Sequence, residues 1–225
     1  MGRDTPSIVY GAQRDFKKLM FSDEAGALTK PMTISAGYGE LEAGTALALN
    51  ASAAGNLGEY VPYNPTVFTG AEDHPGRAYL VQDGGQGASV VYVTLNDAYK
   101  FIVGDDLIIN DDGTTAENLG AITAIDVTTY SHMAEITATT NITGAFGTAN
   151  SAYVCVEAGD SSNNFSDCKG ILMKAVDAGT GVNAQGALTR MIFKNAQLYT
   201  GMLVNVDAAA RTDLSATEDG QLTYF

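Results

Sequence analysis

The chain has 225 residues, with 12 basic and 26 acidic side chains and a formal charge of −14 at pH 7. Phosphate backbones are bound largely by Lys and Arg displacing counterions, so this balance excludes a nucleic-acid partner, and an anionic membrane surface for the same reason. Hydrophobic residues at 45% and charged residues at 17% describe a folded chain, large enough to bury a core without disulfide or metal.

Residues 1–30 are mixed in character. Residues 12–20 read either as one or two helical turns or as part of an arm that orders only on a partner. The opening MGRDTPSIVYGAQRDFKK holds no apolar stretch of the secretory kind, and no run of 18 apolar residues occurs. Synthesis in a cytoplasm, without a spanning helix, is therefore expected. From Lys30 onward the pattern is β. Residues 32–35 and 45–49 read as strands, separated by turns at Gly37, Gly39 and Gly44, where glycine supplies positive φ. In GEYVPYNP, Tyr60 and Val61 are strand formers, while Pro62 and Pro65 confine pairing to an edge or an end.

Residues 76–165 have a different texture. SVVYVTL (89–95) is a strong strand run. FIVGDDLIIN (101–110) places a turn at Gly104-Asp105 between two apolar runs. Residues 121–127 and 132–139 read as a hairpin around residues 128–131. In its second strand, period-2 alternation puts Met133, Glu135 and Thr137 on one face and Ala134, Ile136 and Ala138 on the other. Residues 151–157 add a further strand, so a small β-barrel module is expected here. Beyond the polar loop at 160–164, residues 170–177, 188–193, 195–199 and 202–206 read as strands. Residues 208–214 are the best short helix.

The chemistry-bearing motifs are few. P-loop, HExxH, GxSxG and GxGxxG patterns are absent. Asp105, Asp106, Asp111, Asp112 and Glu117 fail the helix-loop-helix calcium pattern, because Ile108 and Leu119 fall where ligands are needed. They read mainly as a solvated hairpin tip, with a looser cation site as the minor alternative. Two histidines, His74 and His132, lie far apart and mark neither a base nor a metal centre. Cys155 and Cys168 read as reduced, buried residues, with a disulfide as the lesser alternative. Neither an enzymatic activity nor a cofactor is expected. Tyr38, Tyr60 and Tyr63 read as rings covering a barrel end, or alternatively as interface hot spots.

Two blocks carry a family resemblance. The first runs ISAGYGELEAGTALALN to GEYVPYNP: Gly39, Leu41, Gly44, Thr45 and Leu47 follow a G-x-x-L-x-x-G-T-x-L stretch with the spacing after Gly39 one residue tighter, and Gly58, Tyr60, Pro62 and Tyr63 take the places of a G-x-Y-x-P-Y element. The second runs GILMKAVDAG to GALTRMIFKNAQLY, with Gly170, Ile171, Leu172, Val176, Asp177 and Leu198 in register. Both resemble the trimeric head-decoration proteins of tailed bacteriophages, the lambda-type capsid stabilisers. The resemblance implies a mainly β fold: a small barrel or tulip domain from residues 31–75 and 166–225, a second small β-barrel (76–165) inserted in a loop, and an extended N-terminal arm (1–30). It implies a homotrimer on the outside of the expanded phage head, holding the major capsid protein against internal DNA pressure. Gly44, Thr45, Tyr60, Pro62, Tyr63, Gly170, Ile171 and Leu172 would then be trimer or fold positions. Arg3, Arg14, Lys17, Lys18 and Lys30 would be capsid contacts, since an acidic protein needs a neutral or basic footprint. A carbohydrate-binding adhesin and a tail-fibre or tail-tube component are the alternatives.

Overall fold

The structure, a computed structural model, describes residues 19–20, 27–50, 58–64, 75–111, 116–156, 167–216 and 222–224. Strands β1 (Leu28–Ile34), β2 (Glu40–Leu41), β3 (Ala46–Leu49) and β4 (Tyr60–Pro62) come first. Next are β5 (Ala78–Tyr79), β6 (Val90–Thr94), β7 (Asp106–Asn110), β8 (Glu117–Asp126), β9 (Met133–Ala138) and β10 (Tyr153–Val156). Then come β11 (Cys168–Leu172), β12 (Val176–Asp177), β13 (Ala187–Lys194), β14 (Gln197–Leu198), helix α1 (Ala208–Ala216) and β15 (Thr223–Tyr224).

The fold is mainly β, with two barrel-like sheets. Strands β1, β13, β11, β3 and β4 close a barrel in that order. Its seam is short, a parallel pairing of Ile34 with Tyr60. Pro31 sits mid-strand in β1, opposite Arg190 of β13. Because β4 reaches β1 only at Ile34, the missing Pro31 N–H faces no ladder, which is the position a strand proline tolerates. Pro62 likewise ends β4, opposite Leu47. The strands of the second sheet all lie in sequence between β4 and β11, in the order β5, β10, β7, β8, β9, β6. A bridge from Leu80 to Val93, and a bond from Val81 N to Tyr92 O of 2.9 Å, nearly close it.

Alternation explains the faces. In β9, Ala134, Ile136 and Ala138 are buried, while Met133, Glu135 and Thr137 are only partly covered, as the pattern requires. Two expected strands differ. Residues 170–177 form two short strands rather than one: β11 stops at Leu172, and Val176 and Asp177 swing over to pair with Leu41 and Glu40. Residues 202–206 make only an isolated bridge, Val204 to Thr45, because Asn205 takes φ of 59° and ends the extended run. Among the described residues, no helix is long and apolar enough to cross a membrane.

One apolar cluster runs through both sheets, from Ala46, Val61, Ile171 and Ile192 to Val93, Ile109, Ile136 and Val154. Two glycines set the contact between them. Gly37, at φ 101°, lies so near the Tyr99 carbonyl that a Cβ would stand 2.4 Å from its oxygen, and one on Gly181 would stand 2.9 Å from Asn96 Oδ1. Tyr99 belongs to a 3-10 turn, Asp97–Lys100. The Asp97 carboxylate bonds Thr94 Oγ1 at 2.7 Å and Lys100 Nζ at 2.8 Å, which fixes that turn.

Candidate functional site

The two resemblance blocks meet at Gly44-Thr45-Ala46. Gly44 N donates to Leu172 O at 2.8 Å, and Leu172 N returns a bond to Thr45 O at 2.8 Å. Ala46 N donates to Val204 O and Val204 N to Gly44 O, each at 3.0 Å, while Tyr63 N donates to Ala46 O at 2.9 Å. Thr45 Oγ1 holds the preceding turn through Glu42 O at 2.8 Å. Three separate chain segments therefore bond to three consecutive residues. Gly44 is at φ 97°, and a Cβ there would stand 2.0 Å from Met202 O, so only glycine fits.

Tyr60, Pro62, Tyr63, Gly170, Ile171 and Leu172 are interior, while Gly58 and Asp177 are exposed. Ile171 pairs with both Ala46 and Ile192. Gly170 lets the Met191 sulfur and Ile192 carbonyl approach, at 2.8 and 2.9 Å from a would-be Cβ. Tyr60 and Tyr63 are buried. Tyr63 OH donates to Asp207 Oδ1 at 3.1 Å, and the same oxygen accepts Ala210 N at 2.7 Å, capping α1. Burial, then the Asp207 charge, push the Tyr63 phenol above its ordinary value. Neither ring offers the exposed face that an interface hot spot needs, so within this chain they act in packing. Tyr38 is half-buried.

Of the expected capsid contacts, Arg3, Arg14, Lys17 and Lys18 lie outside the described residues. Lys30 is a β1 residue of the barrel, which starts at Leu28, and its ammonium stands 5.0 Å from the Tyr60 ring centroid. That contact shares the cation with an aromatic face inside the barrel wall.

Two members of the acidic group, Asp105 and Asp111, do not sit on a solvated tip. Asp105 and Asp111 are buried, and they flank the two ends of β7, about 20 Å apart by strand rise. Glu117 instead accepts Thr143 N at 2.8 Å and Thr143 Oγ1 at 2.7 Å. Asp112 lies outside the described residues, and among those described no group of three His, Cys, Asp or Glu could hold a metal. Cys155 and Cys168 are free, buried thiols, each pushed up to about 12 by burial.

Two surface features were not read from the sequence. A groove of about 620 Å³ runs beside β13, lined by Met173, Val176 and Leu188 together with Lys174 and Arg190, with no carboxylate in its described lining. Leu188 is 78% exposed. The signal was present as lone cations inside two apolar strand runs, ILMKAV and ALTRMIF, in an otherwise acidic chain. The second is a cleft of about 240 Å³ between the two sheets, taken up below. Comparison with protein-family models, with curated proteins and with solved structures finds no match.

Proposed function

We propose that this chain is a structural protein of a phage particle, one that decorates and stabilises the outside of the expanded head as a trimer. The observation that carries the reading is the block junction. Two motif blocks, separated by the whole six-stranded sheet, pair strand to strand in one closed barrel and bond directly at Gly44, Thr45 and Leu172. The blocks on which the resemblance rests thus act as one structural unit.

The groove beside β13 supports the reading from a second side. A chain of charge −14 that docks on a coat protein needs a local footprint that is not acidic. Lys174 and Arg190 beside the apolar side chains of Met173, Val176 and Leu188 supply one. The occupant in this reading is an extended coat-protein segment with apolar side chains and at least one carboxylate. Three such footprints in a trimer raise avidity by roughly 10²–10⁴ without a strong single contact.

The test uses purified full-length protein and heads of a phage that carries this gene. Sedimentation should give a trimer, and expanded heads should take up the protein while immature heads do not. Lys174→Glu with Arg190→Glu should lower occupancy severalfold and leave the trimer intact. A monomer that ignores both head forms refutes the reading. Full occupancy by the double variant removes the groove from it.

A further inference from the structure

Ser35 is 3% exposed, and its hydroxyl has no hydrogen-bond partner among the described residues. A buried hydroxyl without a partner is costly, and it asks for a ligand or water. Ser35 lines the cleft between the barrel and the six-stranded sheet, together with Tyr38, Asn50, Tyr99, Lys100 and Asp105. The Asp105 charge, after burial itself, raises the Tyr38 phenol, so carboxylate and ring feel one another across the cleft.

The lining chemistry narrows the ligand. Lys100 Nζ is already held by Asp97 Oδ1 at 2.8 Å and by Arg77 O at 2.7 Å, so an anion would find its cation taken. Asp105 is the one carboxylate in the described lining, too few for a calcium or magnesium site. What remains is a near-neutral wall of hydroxyl, amide and carboxylate groups beside two tyrosine rings. Such a wall bonds neutral hydroxyls in both donor and acceptor senses and packs ring faces against C–H groups. The volume, about 240 Å³, falls just below the span of drug-sized pockets, and the position between two packed units is a favoured one for ligands.

We propose that this cleft binds a neutral monosaccharide, one pyranose ring, with Ser35, Asn50 and Asp105 on its hydroxyls and Tyr38 and Tyr99 against its faces. A ligand of that size binds in the millimolar range. The site is independent of the capsid reading, because it is read on the free protein.

The test is titration of the full chain, with tyrosine labelled for NMR, against glucose, galactose, mannose and N-acetylglucosamine. At least one sugar should shift the Tyr38 and Tyr99 ring signals in a saturable way. Ser35→Ala should weaken that binding about tenfold, the effect of one lost hydrogen bond. Ala184→Phe, which fills the cleft from its half-buried wall without removing a polar group, should abolish it. The amide spectrum reports whether each variant is folded, and Ser35→Ala decides alone if Ala184→Phe is not. The proposal is overturned if no sugar shifts either ring at about 0.1 M, a hundredfold above the expected constant. It is also overturned if the shifts survive in both folded variants, or if calcium chloride or inorganic phosphate reproduces them where sugars do not.

Discussion

Gly44→Ala tests the block junction directly. Alanine at φ 97° pays a backbone cost of about 1–2 kcal/mol. Its Cβ would also sit 2.0 Å from the Met202 carbonyl oxygen, a backbone atom that no rotamer change can move aside. Relieving that clash displaces residues 202–204. The bonds Val204 N to Gly44 O and Ala46 N to Val204 O, both 3.0 Å, then weaken or break at about 1 kcal/mol each. The sum is about 3–4 kcal/mol, which for a chain of this size lowers the melting temperature by roughly 6–16 °C. Gly58→Ala is the matched control: it has φ 85° but, among the described residues, nothing within 4 Å of its would-be Cβ, so it carries the backbone cost alone. Urea unfolding of both variants, compared by midpoint at constant slope, isolates the steric part as about 2 kcal/mol. Equal destabilisation of the two variants would refute the close approach of the 202–204 segment as a structural requirement.

Gly37→Ala should act on the contact between the sheets rather than on either sheet. Its Cβ would meet the Tyr99 carbonyl at 2.4 Å, so the 3-10 turn must move away. Calorimetry should then resolve two transitions where the parent shows one, and a single unshifted transition would count against the contact as the coupling element. The buried thiols predict alkaline sensitivity. Both Cys155 and Cys168 are raised from an ordinary value near 9 to about 12, so the native state holds protons that the unfolded chain releases. Their stabilisation is whole below pH 9 and is lost as pH rises towards 12, at about 1.4 kcal/mol per pH unit for each thiol. A Cys155→Ala, Cys168→Ala double variant should flatten the stability profile between pH 9 and 10, and a slope equal to the parent's would sink this account.

Much of the fold was legible in the sequence because strand periodicity and glycine punctuation are local signals. The alternation of β9 placed its faces correctly, and the turn glycines at 37, 39 and 44 all adopt positive φ. What escaped were effects set by distant partners. Residues 170–177 have the apolar character of one strand, and only the availability of Leu41 and Glu40 draws Val176 and Asp177 onto another sheet. Asp105 reads as a loop carboxylate, yet its neighbour across the cleft is Tyr38, 67 residues earlier by numbering. Lys30 reads as a free cation of an arm, and the ring of Tyr60 claims it. The cleft around Ser35 gave no local signal at all, since its walls come from stretches that neither motif nor period connects.

The junction at Gly44 also dictates an order of events on the ribosome. Strand β4 ends at Pro62 and the last barrel strand, β13, ends at Lys194, so 194 − 62 = 132 residues must be made before the barrel can close. At 5–20 residues per second that is roughly 7–26 s during which β1 lacks β13, while β3 has only β4 until β11 is made. The six-stranded sheet, complete at Val156, is finished while the barrel's first half still waits. The N-terminal strands are thus the part of the nascent chain that a chaperone must shield, and the inserted sheet, made in the interval, is the first piece able to fold.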